Sequence, residues 1–284
     1  MDVTDGFPSK DDDGLLYEEV RAWSEEKYHL VQHYTSLFCR SMSGKWQSLV
    51  YIDLFSGPGR SRIDNKRIID APPLLALNSE YSFDKYIFSD ISKDKCSSLE
   101  KRISTLSNAN ITNILNGDVN LITDQILNLM PRYRSDYKVL GFCFVDPYRI
   151  ENLKFETIRK LADRYIDFLV LIPTDIDANR NAITYEKITN TKLDEFLGRS
   201  DWRDDWHIAK LNNEHFGIFV ANQFTKSMKQ LRYIDPKIEN MKLIRSDDKN
   251  LPLYRLALYS RHKLGGKFWK ESVKYTNPQS DMFN

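Results

Sequence analysis

Hydrophobic and polar positions along this chain fall into two periods. Over residues 15–40 the apolar side chains Leu16, Val20, Trp23, Leu30, Val31, Tyr34, Leu37 and Phe38 recur near helical spacing, which predicts one or two helices. Residues 48–55 then run apolar and end in Ser-Gly-Pro-Gly, the pattern of a buried strand entering a tight turn. Four more such runs follow, at 85–90, 110–115, 139–145 and 167–172. Between them lie stretches that read as helices: from Ala71, where prolines suit a first turn; 92–106, with Ser92 as N-cap; from Asp118 through Met130; and 153–162. Five strands alternating with helices predict a parallel, doubly wound, Rossmann-like α/β sheet preceded by N-terminal helices.

The rhythm breaks after the fifth strand. The polar stretch with Asn179, Arg180, Asn181, Trp202 and Trp206 reads as a helical cap or insertion over 174–211. Residues 213–232 predict a helix, and 242–245 and 254–260 predict two closing strands, which brings a mostly parallel sheet to seven. A turn and short helix follow at 263–269. Residues 1–14 read as a disordered acidic leader, and 15–284 as a single domain.

Composition changes this picture little. With 284 residues, 41% of them hydrophobic, the chain can build a large core, so a wholly disordered chain is excluded. No apolar run approaches the roughly eighteen residues of a membrane span, and the first residues lack the basic and apolar regions of a secretory signal. Cys39, Cys96 and Cys143 show neither zinc nor disulfide spacing, which points to a reducing, cytoplasmic setting and to no metal. Residues 1–26 carry nine acidic and two basic side chains, leaving 31 acidic and 39 basic on the rest. A body of that sign permits contact with nucleic acid without requiring it.

Candidate chemistry collects at the predicted strand ends, where open α/β sheets bind their ligands. The first strand ends in Asp53-Leu-Phe55-Ser-Gly57-Pro-Gly59, the second in Asp90-Ile91, the third in Asn116-Gly-Asp118-Val119 and the fourth in Asp146-Pro147-Tyr148. Glycines in the first turn let backbone approach a ligand closely. Neither GxGxxG nor GxxxxGK[ST] is present, so a nucleotide phosphate is poorly matched. An acid after the second strand can accept from both hydroxyls of a ribose. Each acid also has a plainer reading as a turn or helix cap.

The turn Asp53–Gly59 resembles the first S-adenosylmethionine (SAM) motif of class I methyltransferases. That resemblance implies SAM as cofactor, held by Asp53, Phe55, Gly57, Gly59, Asp90, Ile91, Asp118 and Val119. Asp146-Pro147-Tyr148 resembles the Asp-Pro-aromatic motif of enzymes that methylate exocyclic amines of nucleobases, with one proline missing and Arg149 where a glycine is usual. In that chemistry Asp146 accepts from the amine, Pro147 shapes the loop and Tyr148 stacks on the base.

Several stretches in order are similar to the three-Cys-motif partner (TcmP) family over most of residues 20–270. They are Trp23-Ser24, Lys27-Tyr-His29-Leu30, Tyr51-Ile-Asp-Leu-Phe-Ser-Gly-Pro-Gly-Arg60, Pro72-Pro-Leu-Leu-Ala-Leu77, Phe144-Val-Asp-Pro-Tyr148, Asp167-Phe-Leu-Val-Leu-Ile-Pro173 and Leu258-Tyr-Ser-Arg-His-Lys-Leu-Gly265 with Phe268-Trp269. The likeness implies a class I methyltransferase-type fold and a radical-SAM-like three-cysteine protein as partner. It also implies substrate contacts from His29 as a lid, Arg180 after the fifth strand and Arg261 in the basic turn near the end. A lone helical histidine is more often structural, and an exposed arginine as often forms a surface ion pair.

Three functions follow in order of fit: a SAM-dependent methyltransferase acting on a nucleobase amine of DNA or RNA; a methyltransferase-fold binding module for a partner protein without catalysis of its own; and, weakest, a phosphate-acting enzyme. No membrane partner is expected.

Overall fold

The computed structural model describes residues 6–276. The chain divides into two compact units, Met1–Phe144 with Lys267–Asn284, and Val145–Gly266. In chain order the first unit holds β1 (Glu18–Val20), α1 (Trp23–Met42), β2 (Ser48–Asp53), β3 (Arg60–Ile63), β4 (Arg67–Asp70), α2 (Pro72–Leu77), β5 (Lys85–Asp90), α3 (Lys93–Ile103), β6 (Thr112–Asn116), α4 (Val119–Leu129) and β7 (Val139–Val145), the last ending on the boundary. The second holds α5 (Phe155–Leu161), β8 (Ile166–Ile172), a π-helical turn at Thr174–Asn179, α6 (Ala182–Glu186), α7 (Lys192–Leu197), α8 (Trp202–Leu211), α9 (Phe216–Gln230), β9 (Lys242–Arg245) and β10 (Pro252–Tyr259). Helix α10 (Lys263–Thr276) begins in the second unit and runs into the first.

Seven strands form one sheet in the order β6-β5-β2-β7-β8-β10-β9. β2 runs parallel to β5 and β7, and β5 parallel to β6, whereas β10 is antiparallel to β8 and β9. Strand order therefore reverses beside β2, and ligands of such sheets sit at the carboxyl ends flanking that reversal. The α/β, mostly parallel, doubly wound architecture is thus the one that the alternating pattern predicts.

Why β2 lies centrally follows from its composition, since all six of its residues are buried. Around it Tyr51 meets Phe83, Phe142 and Phe88 with ring centroids 5.3, 5.7 and 5.9 Å apart. Helix α1 adds Tyr34, 5.2 Å from Phe142, and Phe38, 5.8 Å from Phe83. Trp269 of α10 closes on Tyr34 at 6.4 Å. Each such aromatic removes about 150–250 Å² from water, so this cluster is a main source of the unit's stability.

Residues 60–70, for which the hydrophobic pattern predicts no element, are structured. They form the hairpin β3–β4, and β1 joins β3 in parallel to make a small three-stranded sheet. Asp64 and Asn65 both take left-handed backbone, φ 46° and 56°, within the three-residue connection 64–66, where the Lys66 N–H donates to the Ile63 carbonyl at 2.8 Å. Ser61 and Ile63 point inward while Arg60 and Arg62 are only half-buried. Strands this short, with arginines on one face, carry no apolar run for a pattern reading to detect.

The leader expected over 1–14 lies outside the described residues for its first five positions. From Gly6 onward it is laid against the fold. Phe7 is buried in a cluster with Tyr28, Ile63, Ile69 and Leu75, and Lys10 donates its N–H to the Ile68 carbonyl at 2.8 Å. Segment 174–211 contains the π-helical turn and α6 to α8. Trp202 and Trp206 are buried there, Trp206 4.7 Å from Phe216, and their ring nitrogens donate to Asp194 and Glu186 at 2.6 and 2.9 Å. Burying an indole requires such a partner. Among the described residues no helix is long and apolar enough to cross a membrane.

Candidate functional site

The ends of β2, β5 and β6 are tied into one network. The Asp53 carboxylate is buried and accepts the Phe55 N–H at 3.1 Å, an Asx turn that starts the bend. The Ser56 N–H and hydroxyl both donate to the Ser89 carbonyl, at 2.9 and 3.1 Å, and the Ser89 hydroxyl donates to the Leu54 carbonyl at 3.0 Å. The Gly57 N–H donates to Asp90 Oδ2 at 3.0 Å. Arg102 donates to the Pro58 carbonyl at 2.6 Å, and the Ala71 N–H to the Gly59 carbonyl at 2.8 Å. The turn is therefore held along its length by β5, α3 and the start of α2.

Its two glycines have different physical reasons. Both take left-handed backbone, φ +62° at Gly57 and +86° at Gly59. A Cβ on Gly59 would lie 2.6 Å from Leu99 Cδ1 and 3.2 Å from Leu74 Cγ, so this glycine lets α3 and α2 pack against the turn. A Cβ on Gly57 would meet nothing within 4 Å. Only Gly57 faces space that a ligand atom can fill.

Asp90 is buried and organises two elements at once. Besides Gly57 it accepts the Ser92 N–H through Oδ1 at 2.8 Å, at the start of α3, where Ser92 itself caps Lys95. Each carboxylate oxygen has a second lone pair, so two hydroxyls can still be accepted. Ile91, the next residue, is 73% exposed, an aliphatic side chain standing in solvent beside a buried acid. The Asn116 amide clamps this corner from β6, donating to the Asp90 and Ile91 carbonyls at 3.1 and 3.0 Å, and the Gly117 N–H adds a bond to the Asp90 carbonyl at 3.0 Å. Asp118 is half-buried and caps α4 by accepting from Asn120 N at 2.9 Å. Val119, expected among the cofactor contacts, starts α4 and is 4% exposed. Below the site Cys143 is fully buried, and burial together with the nearby Asp53 charge pushes its thiol well up.

Arg102, in the last turn of α3, has the sequence pattern of solvated charge but is buried. Its side chain is only 4% exposed and forms a bidentate pair with Asp13. The Arg102 hydrogen bonds hold the Asp13 carboxyl down at about 2, so this pair keeps its charge above that pH and is lost as pH falls through it.

In the second unit Asp146 is half-buried and Pro147 buried, while Tyr148 is 74% exposed, with the Arg149 guanidinium 5.6 Å from its ring centre. The loop is anchored by Asp177, which is buried and accepts the Ile150 N–H at 2.7 Å, the Tyr185 hydroxyl at 2.9 Å and the Asn181 amide at 2.8 Å. The only sequence signal for Asp177 was a second acid soon after an apolar strand, inside a segment read as generally polar.

The three residues expected at a substrate have different surroundings. The His29 ring stacks on Phe7, centroids 3.9 Å apart, and burial lowers its basicity. Arg180 is exposed at the end of the π-helical turn. Arg261, in the basic turn, donates to the carbonyls of Leu231, Arg164 and Ala162 at 3.1, 3.1 and 2.6 Å, with Tyr233 across its face. Its guanidinium staples the 162–164 loop to the end of α9.

No family model and no curated protein matches the chain. Among solved structures it is similar to a protein from Legionella pneumophila, with TM-score 0.48 and 13% identity over 88% of this chain and 93% of that one. It is also similar to magnesium protoporphyrin IX methyltransferase from Synechocystis with bound SAM, with TM-score 0.41 and 10% identity over 84% and 82%. A SAM-dependent O-methyltransferase from Thermotoga maritima gives TM-score 0.37 and 12% identity over 80% and 64%. These likenesses are distant, and the site is read from the chain's own residues.

Proposed function

We propose that this chain is a SAM-dependent methyltransferase, of the three-Cys-motif partner kind, that acts on an exocyclic amine of a nucleobase in DNA or RNA. The observation that carries the cofactor assignment is the strand-end group: Gly57 facing open space, buried Asp90 with lone pairs to spare, exposed Ile91 beside it and half-buried Asp118. This set fits SAM, with its amino-acid end over the turn, ribose hydroxyls at Asp90, adenine against Ile91 and the adenine amino group at Asp118. A pyrophosphate is served less well. Phosphate-binding turns offer free backbone N–H groups, and here Ser56 gives its N–H to Ser89 and Gly57 to Asp90.

SAM supplies an electrophilic methyl group; the chain's task is to hold and orient the acceptor. Asp146 accepts an N–H of the amine, which turns the nitrogen lone pair outward. Tyr148, exposed and flanked by Arg149, gives a face for a base, a contact of roughly 1–3 kcal/mol. A base within a duplex must first be flipped out. Asp146→Ala is expected to leave SAM affinity within about threefold while transfer falls about 100-fold or more. The check is label uptake from methyl-labelled SAM into DNA and RNA, and undiminished turnover by the variant removes Asp146 from this role.

A second reading is favoured by one feature of the other unit. Ile183 on α6, Ile188 just after it, and Ile208 and Leu211 on α8 are 65–84% exposed, apolar side chains that a partner protein could cover. On this reading the chain is a methyltransferase-fold binding partner of a radical-SAM-like three-cysteine protein, with no independent catalysis. Methyl transfer by the purified chain alone rejects it.

A further inference from the structure

We propose that the segment from Phe7 to Leu16 is a strap that positions the cofactor turn, with Asp13 and Arg102 as its positioning residues; this rests on reading the turn as a SAM site. The strap is fastened at both ends within the first unit. At one end Phe7 stacks on His29, its carbonyl accepts from Arg67 at 2.7 Å and its N–H donates to Glu25 at 2.8 Å. At the other end the acids each meet an arginine. Asp12 pairs with Arg62 at 3.2 Å, and Asp13 with Arg60 at 2.9 Å and with Arg102 at 2.7 and 2.8 Å.

Arg102 joins the strap to the turn. One of its terminal nitrogens donates to both the Leu16 and the Pro58 carbonyls, each at 2.6 Å, while the other nitrogens hold Asp13. Pro58 has no N–H, so among its own backbone groups only the carbonyl oxygen can be gripped by a hydrogen bond. It stands between two glycines in left-handed backbone, the residues with the most freedom to leave that shape. A buried guanidinium needs its counter-charge. Without Asp13 the Arg102 side chain is drawn toward water, the Pro58 carbonyl is released, and the shape that Gly57 presents to the ligand is no longer fixed. Leader docking and cofactor affinity are thereby coupled through one side chain.

The test compares wild type with Asp13→Ala, with Arg102→Lys, and with Asp136→Ala, which removes an exposed carboxylate paired only locally with Arg134. Lysine keeps the charge but lacks the fork that spans Asp13 and Pro58. Two measurements are made on full-length protein: hydrogen exchange of the Gly57 and Gly59 amides without ligand, and the SAM dissociation constant. Both Asp13→Ala and Arg102→Lys are expected to speed exchange at these amides, and to weaken SAM, by about tenfold or more, while Asp136→Ala matches wild type. Asp13→Asn serves the same purpose should the alanine variant fold poorly. Exchange and affinity in the Asp13 variants equal to Asp136→Ala overturn the strap. The exchange arm needs no SAM, so failure of wild type to bind SAM rejects the cofactor reading separately.

Discussion

Gly59→Ala is expected to lower the thermal midpoint by about 10 °C. Left-handed backbone costs a residue with a Cβ about 1–2 kcal/mol. Forcing that carbon against Leu99 Cδ1 at 2.6 Å and Leu74 Cγ at 3.2 Å adds an overpacking cost of about 1–3 kcal/mol, since both leucines are buried. A total of about 3–4 kcal/mol, at roughly 2–4 °C per kcal/mol, gives that shift. Gly57→Ala carries only the backbone cost, because no atom lies within 4 Å of its added carbon. It should therefore lose a smaller part of the midpoint and most of the SAM affinity. Calorimetry on the pair separates the two glycines. A midpoint for Gly59→Ala within about 2 °C of wild type would mean that the turn does not need close packing on α3 and α2.

Asp90→Asn is expected to weaken SAM about 100-fold, or about 2.7 kcal/mol. The wild-type carboxylate accepts from Gly57 N–H with one oxygen and from Ser92 N–H with the other. An amide has a single acceptor oxygen and sets an NH₂ against the second donor. One corner of the turn is thus repelled, and hydrogen bonds to a charged group, worth about 1.5–3 kcal/mol each, become neutral ones or are lost. The ribose hydroxyls lose the same charge. Isothermal titration with SAM measures this directly, and affinity within about threefold of wild type would show that Asp90 serves only the local fold.

The positions of these acids were legible in the chain because an uninterrupted apolar run marks a strand buried on both faces, and its end marks the edge where ligands gather. Asp53, Asp90 and Asp118 were found in this way. The local bonds of Asp53 and Asp118, each to an N–H two residues on, are the turn and helix caps that the sequence also offers. The bond from Asp90 to Gly57 was not legible, because it joins positions 33 residues apart. The strap is the extreme case, since Asp13 meets Arg102 across 89 positions. Local pattern showed only an acidic segment and a helical arginine, each of which reads as solvated charge. The carbonyl partners of Arg261 were not legible for a related reason: a basic cluster says nothing about which acceptors lie within reach.

Titration of the purified wild-type chain with SAM tests the central claim most directly. Saturable one-to-one binding with a dissociation constant on the order of 10 µM, about −7 kcal/mol, is the predicted result. The absence of any saturable signal up to millimolar SAM would contradict the assignment of the Asp53–Gly59 turn as a cofactor site.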